Sequence, residues 1–100
     1  MGLSVSPTVV NLNGKVTVKG QLEYYDGGWH AFKNQVIYII FRRKGTSTWY
    51  WAVKVTTSSS GRFTATVKDF EGSATWDADY EGNSTHLSTS PAGVYVRVRG

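Results

Sequence analysis

The stretch Val94-Tyr95-Val96-Arg97-Val98-Arg99 places valine at every second position, with an aromatic or charged residue between. Successive side chains of an extended chain point to opposite faces, so this pattern gives one dry face and one wet face. On a helix the same valines would be scattered around the axis. The pattern recurs along the chain, and seven strand-like runs are legible: residues 3–5 continued by 8–10, then 15–23, 35–43, 48–57, 62–68, 74–81 and 93–99. Turn signals separate most of them: Asn13-Gly14, Asp26-Gly27-Gly28 at the bend of a long connection over residues 24–34, Gly45, and Ser58-Ser59-Ser60-Gly61, read as a hairpin turn whose Gly61 suits a positive φ. Helical periodicity never extends over ten residues.

Composition agrees with this reading. Val (12), Thr (11), Ile (3) and the 14 aromatics favour strands, against 6 Ala, 4 Leu and 1 Met. Seven short alternating runs in 100 residues predict a seven-stranded antiparallel sandwich with an immunoglobulin-like layout. It has no disulfide, because the chain has no Cys. One domain is expected over residues 1–100, ordered over 3–99, with Met1-Gly2 read as the remnant of excision from a larger protein. The longest strongly apolar run, residues 36–41, is far shorter than the roughly 20 residues of a membrane helix. No membrane insertion is expected.

Charge is distributed in blocks. Residues 1–68 carry +7, residues 69–81 carry −5 and residues 82–100 carry +2. A nucleic-acid binder should present a continuous basic face with aromatics interleaved, and the acidic block interrupts any such face. No nucleic-acid partner is expected.

Alternation assigns faces. Trp49, Trp51, Val53 and Val55 share one face by period two. Trp76, Ala78 and Tyr80 point inward, with Trp76 the core tryptophan, and Asp77, Asp79 and Glu81 point outward. Residues 35–43 are apolar on both faces, as in a central strand or one that meets a partner.

These assignments give two candidate sites. The first is a face of Tyr38, Ile40, Arg42, Asp77, Asp79, Tyr95 and Arg97, in which the acids lie between the third and last strands. It reads as a ladder of cross-strand charge pairs, or as a flat binding surface. The second is a loop containing Tyr24, Tyr25, Asp26, Trp29 and His30, whose composition suits recognition and, through ring stacking, carbohydrate. The competing reading has Trp29 and Phe32 plugging the end of the sandwich. No catalytic residue, cofactor or metal site is expected. His30 and His86 stand outside any nucleophile motif, and residues two apart on a strand lie about 6.6 Å apart along it, too far for all three acids to converge on one calcium ion.

The run Val36-Ile37-Tyr38-Ile39-Ile40-Phe41-Arg42 is followed by Gly45, Trp49 and Gly61-Arg62-Phe63. Next come Trp76-Asp77-Ala78-Asp79-Tyr80-Glu81-Gly82, a Ser-rich loop and alternating valines. In order and spacing this resembles the bacterial immunoglobulin-like domains of secreted and surface proteins of actinobacteria, from about Val16 to Val98. The resemblance implies an extracellular or cell-surface, non-catalytic module of a larger exported protein, serving as a spacer, adhesion or protein-interaction unit. Its partners would be neighbouring domains of the parent chain and a protein or polysaccharide ligand. It carries over no active site. A tyrosine corner at Tyr80, bonded to nearby backbone, is a further expectation.

Overall fold

A computed structural model describes residues 1–12, 14–68, 72–82, 89–91 and 93–99. Among these there is no helix, and the strands are β1 (Gly2–Ser6), β2 (Val9–Asn11), β3 (Lys15–Gln21), β4 (Glu23–Tyr25), β5 (Trp29–Ala31), β6 (Val36–Arg43), β7 (Trp49–Thr56), β8 (Arg62–Lys68), β9 (Ala74–Asp79) and β10 (Val94–Arg99). They form a three-stranded sheet, β1-β3-β8, and a five-stranded sheet, β2-β10-β9-β6-β7. The pair β4-β5 makes a separate hairpin.

The two larger sheets face each other in a sandwich-like arrangement. Val5, Val16, Val18, Phe63 and Ala65 come from the first sheet; Val10, Ile37, Ile39, Ala74, Trp76, Ala78 and Val96 come from the second. All are buried at relative exposures of 9% or less. Alternation produces this directly, since every second residue of each paired strand enters the shared core. Trp76 is 2% exposed, as the sequence reading requires.

Pro7 reads in the sequence as an edge or a switch point, and the structure makes it a switch point; two further features differ from the sequence reading. The segment before residue 11 is split at Pro7: β1 pairs with β3 in one sheet, while β2 pairs in parallel with β10 in the other. Proline has no N–H to donate to a ladder, so it suits the change of sheet. The turn at residues 58–61 does not close a hairpin, because β7 and β8 belong to different sheets. Gly61 has φ 75° there, and its carbonyl accepts from the Leu22 N–H at 2.7 Å. Finally, the connection at residues 24–34 contains the β4-β5 hairpin, with Asp26, Gly27 and Gly28 at its tip.

Tyr80 is buried, and its hydroxyl donates to Gln35 Oε1 at 3.3 Å, a side chain distant in sequence. This bond ties it to the start of β6. Thr57, 2% exposed, completes the junction. Its hydroxyl accepts from the Gln35 N–H at 2.8 Å and donates to the Phe32 carbonyl at 2.6 Å. The turn signal at Asn13, the acids Asp69 and Glu71, and the loop residues His86 and Leu87 lie outside the described residues.

Candidate functional site

In the five-stranded sheet, β6 lies between β9 and β7, and its side chains alternate. Ile37 and Ile39 point into the core, while Tyr38, Ile40 and Arg42 point to the outer face. Residues directly opposite on paired strands share a face. Register therefore assigns the outer face row by row: Asp79 and Lys54 flank Tyr38, Asp77 and Trp51 flank Ile40, and Thr75 and Trp49 flank Arg42.

The row containing Trp51 corrects the sequence reading. Pairing along β7 is regular at Ile39–Val53 but resumes at Ile40–Trp51, leaving Ala52 as an extra residue. This β-bulge reverses the parity of the strand, as one inserted residue must. Val53 and Val55 still face the core, but Trp49 and Trp51 turn outward, and Tyr50 takes the inner side against Phe41 (ring centroids 5.6 Å). Trp49 and Trp51 remain 41% and 59% exposed.

The outward rings are gathered. Tyr38 and Trp51 have centroids 6.4 Å apart, and the Arg42 guanidinium lies over the Trp49 ring at 5.3 Å. Trp49 Cη2 lies 3.7 Å from where a Cβ on Gly93 would sit, so the indole extends across the sheet toward β10. Two residues beyond Gly93, Tyr95 is 45% exposed opposite Thr75. A Cβ on Gly93 would meet the Thr75 methyl at 2.5 Å, so glycine there leaves room on the face.

The acids behave differently from the expected ladder. Asp77 occupies an outward register position yet is only 4% exposed. Its Oδ1 accepts from the Ala78 N–H at 2.8 Å, and Ser90 supplies a side-chain hydrogen bond. Burial pushes its carboxyl above the ordinary range, Asp79 adds to the rise, and the two hydrogen bonds partly offset it. Asp79 is also raised, by burial first and by Glu81 second. Register does not place the basic residues of β10 opposite these acids. Tyr95 lies across from Thr75, and Arg97 pairs with Val9 of β2. Of the candidate face, Tyr38, Ile40, Arg42, Asp77, Asp79 and Tyr95 share one surface, with Arg97 at its β2 side. Trp49, Trp51 and Lys54 join it, and the sequence reading missed them.

The candidate loop is a two-sided hairpin. Tyr24 stacks on His30 (5.3 Å) and meets Phe32 edge-on (4.9 Å), and Phe32 in turn meets Tyr80 (5.7 Å). Phe32 therefore plugs the end of the sandwich as expected. Trp29 does not: it is 70% exposed and touches only the edge of Tyr25, itself 68% exposed, among the ring contacts described. Trp29 is on the opposite side of the hairpin from His30, because adjacent strand residues face opposite ways. His30 Nε2 lies 3.1 Å from the Asp26 carbonyl oxygen, which helps close the tip. Elsewhere, a cavity of about 740 Å³ is lined by Leu3, Lys19, Gln21, Arg62 and Phe63 along the three-stranded sheet. No group of three His, Cys, Asp or Glu that could hold a metal ion occurs among the described residues. No protein-family model and no curated protein matches the chain in sequence.

Proposed function

We propose that the chain is a non-catalytic immunoglobulin-like module of a larger exported protein, and that it recognises a ligand on the outer face of its five-stranded sheet. One observation carries this reading: Trp49, Trp51 and Tyr95 stay 41%, 59% and 45% exposed on a single face beside Tyr38. Exposed apolar surface gathered in one place marks interaction sites far more than the same residues scattered singly. The sheet order supports the immunoglobulin-like layout, since the strands corresponding to the third, sixth and seventh runs are neighbours with the sixth in the middle. The exported, actinobacterial setting rests on the motif resemblance, and the non-catalytic reading on the absence of a nucleophile motif in the sequence.

The test is a binding survey of the purified domain against immobilised polysaccharides and matrix proteins, with Trp51→Ser/Tyr95→Ser in parallel. The double variant should melt within a few degrees of the parent and lose the ligands the parent holds. Retention of every ligand by the variant would remove the face from consideration.

A further inference from the structure

The outer face of the five-stranded sheet exposes Trp49, Trp51 and Tyr95, and its rings are interleaved with polar groups. Small molecules are usually held in concave pockets, so a row of exposed rings reaching the β7 edge suits the interior of a long chain better. The centre of a protein–protein interface is depleted of charge. Here Arg42 and Thr75 lie in the row between Trp49 and Tyr95, with Asp79 and Lys54 beside Tyr38, while Asp77 is buried and already hydrogen-bonded. A protein partner would have to strip water from these groups and find a matched partner for each.

We infer that the occupant is a neutral polysaccharide chain. This rests on the reading of the face as a binding surface and names what fills it. A pyranose ring has an apolar side of C–H groups, which lies flat on an aromatic ring. Its hydroxyls point sideways, and each can both donate and accept. The Asp79 carboxylate, a guanidinium, an ammonium and a threonine hydroxyl beside the stacking rings are the partners such hydroxyls need. Asp79 and Lys54 flank Tyr38 with opposite charges, and the Arg42 guanidinium lies over the Trp49 ring, so the strip has no dominant sign to select a charged polymer. Trp49 and Trp51 are two residues apart on one strand, about 6.6 Å, a spacing comparable with one sugar unit. Their indoles are rigid, so ordering them on a ligand costs little conformational entropy.

The test is affinity electrophoresis of the intact chain through gels containing hydroxyethyl cellulose, arabinoxylan, soluble starch or polygalacturonate. Isothermal titration then follows with any polymer that retards it. At least one neutral polymer should retard the parent. Trp51→Ala and Trp49→Ala should each weaken binding at least tenfold, and Trp51→Phe should keep most of it, because a stacking surface remains. Circular dichroism melts establish that each variant is folded. Retardation by polygalacturonate alone, or by no polymer, would overturn the inference. If no polymer binds but a matrix protein is held and released by Trp51→Ala, the sugar assignment falls and the face reading stands. If polymer binding survives both alanine variants, or is lost only on Trp29→Ala, both fall.

Discussion

Single residues set much of this structure. Trp76 is 2% exposed and packs against Phe41 at 5.1 Å between ring centroids. Removing so large a buried ring should cost about 3–5 kcal/mol, so Trp76→Ala should melt far below the parent or fail to fold. Thr57→Val keeps the shape but leaves the Gln35 N–H and Phe32 carbonyl without the hydroxyl. It should cost about 1–3 kcal/mol in urea denaturation. Asp77 adds a pH signature. Its carboxyl is raised above the ordinary value of 3.8, chiefly by burial, so folding favours the protonated form. The stability it contributes is present below that value and is lost as pH rises through the raised one. Asp77→Asn imitates the protonated state and keeps an oxygen for the Ala78 N–H. It should melt above the parent at neutral pH, with the difference closing toward pH 3.

At the scale of elements, the pairing of one residue decides which way the indoles face. Ala52 is the unpaired position of the bulge, and it sends Trp49 and Trp51 to the outside while Val53 and Val55 stay inside. Deleting Ala52 removes the extra residue and leaves Trp49, Trp51 and Lys54 outward and Tyr50, Val53 and Val55 inward in strict alternation, so the domain should stay folded with both indoles exposed. Tryptophan emission should keep its wavelength; a blue shift with a large loss of stability in urea, as expected if the deletion turned the indoles inward, would argue against the bulge. The strands themselves were legible because alternation carries their identity, residue by residue, in β3, β6, β8 and β10. The bulge was not legible, because period-two reading of residues 48–57 has no marker for an inserted alanine. Period-two reading therefore put Trp49 and Trp51 on the face of Val53 and Val55, and the structure puts them on the other. The turn at Gly61 was read correctly as needing positive φ, yet its role in crossing between sheets depends on which strands pair, a long-range property. The hairpin at residues 23–31 was missed for the same reason: Tyr24 and His30 find each other through stacking, not through a pattern of valines.

The whole molecule measures 48 × 24 × 18 Å, so a polymer lying on the broad outer face meets side chains from β10, β9, β6 and β7 together. The formal charge of +4 is of little use in naming its partner, since the strip carries both signs. Attraction there comes from ring contact and paired hydrogen bonds, and binding of a neutral polymer should change by less than about threefold between low salt and 0.5 M NaCl, because screening acts on net charge. Titration calorimetry at the two salt concentrations checks this. The central claim is that Trp49 and Trp51 face solvent and are covered by the ligand. Acrylamide quenching of Trp29→Phe tests it most directly, because the remaining tryptophans are these two and the buried Trp76. Most of the emission should be quenchable in the free protein, and a saturating neutral polysaccharide should lower the quenching constant by at least half. Emission that is already shielded without ligand, or equally quenchable with it, would contradict the account.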